Sequence, residues 1–230
     1  MSPSGDTTED TDSRIGIKPP AISRQKVAVL ISGRGSNMGA LVSAALAEDY
    51  PARIVTVLSD RAGAAGLEHA RGFGIAATAV PRSEHADASS HEAALQEAIE
   101  ASGAEIVCLA GYMRLLSGAF ARHWQGRIIN IHPSLLPAFP GLDTHHRALV
   151  AGVRIHGCTV HFVTEGMDEG PIISQAAVEV LTDDTPATLA LRVLEAEHRI
   201  YPLALAMLAR GEVRMGGDGS SVFSPAKPGR

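Results

Sequence analysis

Residues 26–32 read KVAVLIS, a short continuous apolar run of the kind carried by strands buried on both faces. A glycine-rich turn follows, and then an Ala/Leu-rich stretch with helical spacing runs to about Glu48. The alternation recurs downstream. It predicts a strand over residues 54–59, a helix to about Phe73, a strand over 75–80, a helix over 91–102 that Gly103 is placed to cap, and strands over 106–110 and 128–131. Such alternation specifies a parallel sheet with helices on both faces. The last third changes character: residues 157–163 and 171–180 read as two strands joined by the acidic turn Met167-Asp-Glu-Gly170, in the antiparallel sense. A helix from about Pro186, where proline suits the first turn, is closed by Gly211 after Arg210. The expected fold class is therefore α/β: a Rossmann-like, mostly parallel central sheet with helices on both faces and an antiparallel C-terminal portion.

The ends break this pattern. Residues 1–24 are dominated by Ser, Thr, Asp and Gly, and such a segment cannot bury enough surface to offset its ordering entropy. It reads as a disordered N-terminal tail, and residues 215–230, rich in Gly, Ser and Pro, read as a flexible C-terminal one. The body between, residues 25–214, reads as one domain. The 230 residues hold 20 Lys+Arg against 25 Asp+Glu, a formal net charge of −5. Four of those acids (Asp6, Glu9, Asp10, Asp12) precede Arg14, so the rest has 21 acids against 20 bases and stands at −1. A near-neutral body argues against electrostatic binding of nucleic acid or membrane. The longest apolar run, residues 203–209, falls far short of the roughly 18 residues of a membrane span. No charged-then-apolar leader opens the chain, and two cysteines, Cys108 and Cys158, make no disulfide framework, so a reducing cytoplasmic setting is expected. No CxxC or HxxxH pair is present, and no metal is expected.

Two segments carry candidate chemistry. The turn Ser32-Gly-Arg-Gly-Ser-Asn-Met-Gly39 follows the first strand and opens the first helix, where backbone amides favour an anion. Its spacing fits neither the dinucleotide pattern GxGxxG nor a P-loop. A bare strand-to-helix turn is one reading. The polar pair Ser36-Asn37 favours the other, a phosphate monoester site in which side-chain donors reinforce the amides. The stronger signal is Asn130-Ile-His132-Pro133: on a strand Asn130 and His132 share a face, and Pro133 ends the strand where ligands of open α/β sheets bind. A carboxamide donor beside an imidazole suits acyl transfer, one stabilising an oxyanion and the other moving a proton near neutrality. Asp168, in the acidic turn, is the carboxylate chosen to govern the ring's proton. His161 could face the site or the core. No GxSxG elbow or paired cysteine supplies a nucleophile, which points to direct transfer to an acceptor.

Taken together, the segments VLISGRGSNMGAL, LAGYMRLLS, IINIHPSLLPAFPGLDTHHRAL, GCTVHFVTEGMDEGPIISQ and EAEHRIYPLAL resemble the phosphoribosylglycinamide formyltransferases, the folate-dependent enzymes of purine synthesis. The likeness runs from about Lys26 to Arg214 and implies a formyltransferase domain. It implies transfer of a formyl group from 10-formyltetrahydrofolate, as co-substrate, to the amine of glycinamide ribonucleotide (GAR). By the same resemblance Gly35, Ser36 and Asn37 hold the substrate phosphate, Glu197 binds the ribose and amine region, and Asn130, His132 and Asp168 form the catalytic triad. Met113, Arg114, Leu115 and Leu116 match the segment whose backbone receives the pterin, and Thr164, Glu165, Gly166 and Met167 match the folate-facing loop, with Asn130 beside them. The Leu136-Pro137 bond is expected to be cis. Two positions depart from the family's pattern: His91 stands where an Arg is usual, with Arg82 or His91 itself as substitutes, and Leu194 stands where some members have Lys or Gln. Small-molecule substrates, no nucleic acid, no membrane and a possible homodimer complete the expectation.

Rival readings share parts of this pattern. Methionyl-tRNA formyltransferase has the Asn-x-His and Ser-Leu-Leu-Pro core but adds a basic tRNA domain, and formyltetrahydrofolate hydrolase adds an N-terminal regulatory one. The length of this chain disfavours both. A catalytically silent folate- or nucleotide-binding module is disfavoured by the intact Asn130, His132 and Asp168.

Overall fold

The computed structural model describes residues 23–217 and 220–224. The N-terminal tail expectation lies, apart from Ser23 and Arg24, outside the described residues, as does residues 225–230 of the C-terminal one. Seven strands form one sheet in the order β3-β2-β1-β4-β5-β6-β7. β1 (Gln25–Ile31), β2 (Ala52–Ser59), β3 (Ala76–Ala79), β4 (Ile106–Leu109) and β5 (Ile128–His132) run parallel, while β6 (Ile155–Phe162) and β7 (Ile172–Glu179) are antiparallel. The fold class read from the pattern is the one observed.

The period-2 geometry of the central strands divides the core in two. Val27, Val29 and Ile31 of β1 point to one face, with Met38 and Leu41 of α1 (Ser36–Ala45), Leu67 of α2 (Ala65–Gly72), and Leu189, Val193 and Tyr201 of α6 (Pro186–Ala209). Ala28 and Leu30 point to the other, with Leu95 and Ile99 of α3 (Ala88–Ala101) and Phe120 of α4 (Gly118–His123), beside Trp124. This is why β1 is apolar from Val27 to Ile31: both of its faces are covered there. Tyr201 ties α6 to the sheet by donating from its hydroxyl to the Leu109 carbonyl at 2.9 Å.

Several elements differ from the sequence reading. α3 begins three residues before His91 because Asp87 and Ser90 make a reciprocal capping box. α4 and α5 (Thr144–Val150), at 6 and 7 residues, are too short for a helical period to stand out. The described part of the expected C-terminal tail is built as a hairpin, β8 (Val213–Met215) against β9 (Ser221–Phe223), and the Ser224 amide donates to the Glu212 carbonyl. Three-residue strands around glycines carry no alternation that would mark them as paired.

Turns after β1 and β2 meet through bare backbone. The Gly66 amide donates to the Gly33 carbonyl at 3.0 Å. A β-carbon at Gly66 would lie 2.5 Å from Ile31 Cδ1 and 3.1 Å from the Gly33 oxygen. Gly66→Ala is therefore expected to lower stability by about 1–3 kcal/mol in urea unfolding. Gly63→Ala, with nothing within 4 Å of its added carbon, should change it by less than about 0.5 kcal/mol.

Candidate active site

β5 delivers Asn130 and His132 to the C-terminal edge of the sheet, and Pro133 stops the ladder there. The antiparallel partner β6 sets His161 opposite Asn130 and Thr159 opposite His132. The turn between β6 and β7 returns Asp168 to this edge, with its backbone left-handed at φ 57°, a conformation that aspartate tolerates better than most residues. The result is a compact polar group. His132 Nδ1 lies 3.3 Å from Asp168 Oδ2, and His161 Nε2 lies 3.8 Å from Asp168 Oδ1. Both side chains of the His132–Asp168 pair are nearly buried, which keeps water from screening it.

Hydrogen bonds fix the orientation of each member. His161 Nδ1 sits 2.8 Å from the Phe162 carbonyl, which assigns the ring's proton to Nδ1 and leaves Nε2 to accept from Asn130 Nδ2 at 3.2 Å. Burial pushes the His161 pKa down, with the nearby Asp168 opposing, so the neutral tautomer matches its surroundings. One Asn130 N–H is engaged by His161, and the second remains to serve a ligand. His132 Nε2 lies 3.1 Å from the Phe139 carbonyl. A ring with protons on both nitrogens satisfies Phe139 and Asp168 together; a neutral ring satisfies one. The Gly141 amide donates to Asp168 Oδ2 at 2.8 Å, so the loop after the cis Leu136-Pro137 bond reaches the same carboxylate.

The glycine turn forms a second part of the site. Gly35 takes φ 73° at the N-cap of α1, which leaves the first-turn amides of Ser36 and Asn37 without helical acceptors. The Asn37 amide group donates to Glu197 Oε2 of α6 at 2.7 Å, across 160 residues of sequence. Glu197 is buried and its pKa is pushed up by desolvation, partly offset by that bond. Glu197 is thus brought to the turn that holds Gly35, Ser36 and Asn37.

A cavity of about 630 Å³ is lined by Tyr112, Met113, Arg114, Leu115 and Leu116 from the segment after β4 and by Arg82, His91 and Glu92. Met113 and Leu115 are 64% and 78% exposed. The segment is pinned by its backbone and its arginine: the Met113 amide donates to Ser32 Oγ at 2.9 Å, and Arg114 Nε pairs with Asp60 at 2.6 Å. The His91 ring is turned inward to the Val80 carbonyl at 2.8 Å, whereas Arg82 uses one N–H on the His85 carbonyl. Thr164, Glu165, Gly166 and Met167 do not line this cavity. They form the first half of the turn that carries Asp168, held through a Glu165–Arg122 ion pair at 2.5 Å.

The sequence left His161 undecided and gave no hint of the loop 139–141; the signal for both lies in strand register, which spacing does not reveal. Cys108 and Cys158 are fully buried, and burial pushes each thiol up to about 12, so neither is a nucleophile. Among the described residues no cluster of three or more His, Cys, Asp and Glu side chains could hold a metal ion, and no helix is long and apolar enough to cross a membrane.

Comparison with known proteins adds a family. The formyl transferase family model matches residues 25–205. The chain is similar to phosphoribosylglycinamide formyltransferase of Escherichia coli strain K12, 43% identical over 189 residues that cover 82% of this chain and 89% of that one. It is 46% identical over 194 residues to the trifunctional purine biosynthetic protein adenosine-3 of Gallus gallus, covering 84% of this chain but only 19% of the relative, about a fifth of its length. The crystal structure of phosphoribosylglycinamide formyltransferase from Brucella melitensis superposes with TM-score 0.78 at 57% identity, covering 81% of this chain and 96% of that one.

Histidines buried neutral make stability depend on pH. His156, packed at 3.2 Å against His145, is pushed down to about 4 by burial and its neighbour, against about 6.5 in an unfolded chain. Between those values the unfolded state binds a proton that the folded state refuses, so stability is full above about 6.5 and falls as pH drops toward 4. Urea unfolding at stepped pH should show this slope, and His156→Gln should flatten it.

Proposed function

This chain belongs to the formyl transferase family, and we propose that within it the chain acts as a phosphoribosylglycinamide formyltransferase, moving the formyl group of 10-formyltetrahydrofolate to the amine of GAR. The observation that carries this reading is the convergence of Asn130, His132 and Asp168 at one strand end, with His132 Nδ1 3.3 Å from the carboxylate. It needs no covalent intermediate. The substrate amine attacks the formyl carbon, a C–N bond forms, and the carbonyl oxygen takes the charge. The free Asn130 N–H and His132 steady that oxyanion in a site from which water is largely excluded. Collapse breaks the bond to N10, which receives a proton from His132, while the attacking amine gives up one through Asp168. His161 positions Asn130 by accepting its other N–H.

The remaining residues are assigned by the same reading. The amides of Gly35, Ser36 and Asn37 hold the phosphate, and Glu197, kept in place by Asn37, meets the ribose and amine region. Met113, Arg114, Leu115 and Leu116 receive the pterin along their backbone, with Arg82, not the inward-turned His91, as the cation of that cleft. Thr164, Glu165, Gly166 and Met167 approach the folate from the Asp168 turn. The co-substrate is small and organic, and no metal enters any step. Full-length relatives of the trifunctional kind carry additional regions, so partners beyond these two substrates are outside this reading.

The test is a spectrophotometric assay with GAR and a formylated folate analogue, each also omitted in turn. Turnover that requires both is expected; release of formate without GAR would favour a hydrolase instead. His132→Ala should lower kcat by about 10²–10⁴-fold and leave affinity for the folate analogue nearly unchanged, as followed by fluorescence titration. Asp168→Asn should lower kcat by about 10–10³-fold with the KM for the folate analogue within about twofold. An unchanged kcat would remove Asp168 from the proton path.

A further inference from the structure

The phosphate seat as assigned has a charge deficit. A phosphate monoester approaches −2 at neutral pH, yet the residues assigned to it, Gly35, Ser36 and Asn37, offer only neutral donors, and the ionisable side chain bonded to them, Glu197, is an acid. Positive charge must come from elsewhere. Next to the turn, a cavity of about 470 Å³ lies between the loops after β1 and β2, lined by Ser32, Gly33, Arg34, Arg61, Gly63 and Ala64 together with Ala65. Both arginines are exposed, and among the described residues neither guanidinium has a hydrogen-bond or ion-pair partner. Other guanidiniums at this edge of the sheet are engaged: Arg114 by Asp60, Arg122 by Glu165, Arg82 by the His85 carbonyl and Arg147 by the Pro140 carbonyl. Asp60, adjacent to Arg61 in the chain, is therefore not available to neutralise it.

The two loops are not independent. The bond from the Gly66 amide to the Gly33 carbonyl, and the backbone contact of Gly66 with Gly35, fix the Arg61 loop against the turn that holds Ser36. Ser32 Oγ, buried at the cavity floor, accepts from the Met113 amide and keeps its own proton to donate. We propose that Arg34 and Arg61 form a cationic rim that draws the phosphate of the acceptor substrate to the α1 turn and neutralises it there. This rests on the assignment of GAR as acceptor. Because the rim touches only the phosphate end, its energy is realised equally in ground and transition states and acts on KM, not on kcat.

The test uses the full chain with Arg34→Gln, Arg61→Gln, the double variant and the two Arg→Lys changes. These side chains are exposed, so folding is not at risk. Each Gln variant should raise KM for GAR by about 3–10-fold, with kcat and the KM for the folate within about twofold. The Lys variants should recover most of the loss, and added KCl should weaken the wild type more than the double variant. A KM for GAR that stays put in the double variant, or a loss that Lys does not repair, overturns the rim. Calorimetry with ribose 5-phosphate and with ribose separates this from failure of the underlying assignment. If the wild type shows no turnover with GAR, the assignment fails by itself. Ribose 5-phosphate binding that drops in the double variant then still upholds an anion rim, and equal binding by both proteins removes it.

Discussion

The register of β5 against β6 is the constraint on which the site depends. It sets His161 beside Asn130 and returns the chain so that the following turn can lay Asp168 against His132. A slip of one residue would turn Asn130 and His132 toward the opposite face, into the apolar layer that now holds Ile129 and Ile131. Two glycines let β7 close on β6, the two strands joined by the Asp168 turn. A β-carbon at Gly170 would fall 1.8 Å from the Phe162 oxygen, and one at Gly157 would fall 2.0 Å from the Ala176 oxygen. Neither position admits a side chain unless the strands part. The polar group at the sheet edge is thus a consequence of close backbone packing several residues away from it.

Around that edge, single hydrogen bonds join what the two substrates would occupy. Ser32, which follows β1 and begins the glycine turn, accepts from the amide of Met113 in the wall of the larger cavity. Asn37, in the same turn, reaches Glu197 in the middle of α6. The turn is therefore fixed from the larger cavity and from α6 at once. Its glycines allow both approaches because they leave the backbone bare where α1 and α2 begin.

How much of this the sequence discloses follows from the range of each interaction. The strands of the parallel half are legible because β1 and β4 are apolar on both faces, and the strand-end position of His132 is legible because Pro133 forbids continuation. The pairing of Asn130 and His132 on one face follows from period 2 alone. The approach of Asp168 required the motif context, since a turn aspartate carries no mark of the residue it will meet 36 positions away in the chain. His161 stayed ambiguous for the same reason: alternation gives its face but not its partner. α4, α5 and the β8–β9 hairpin escape because each is shorter than the period needed to recognise it. His91 lines the larger cavity with its ring bonded to the Val80 carbonyl, a short-range bond that composition cannot show.

The distribution of protons explains why the polar residues can share so small a space. Glu197 is pushed toward its neutral form by burial, His161 toward its neutral form by the same cause, and His156 further still. His132 and Asp168 meet each other between these flanks, with the Phe139 carbonyl beside the ring and the Gly141 amide on the carboxylate. A buried pair of this kind is costly unless its remaining hydrogen-bonding capacity is met, and here the loop 139–141 meets it. That loop therefore bears on the His132–Asp168 pair even though it contributes backbone alone, and any ligand that claims His132 Nε2 must first compete with a carbonyl 3.1 Å away.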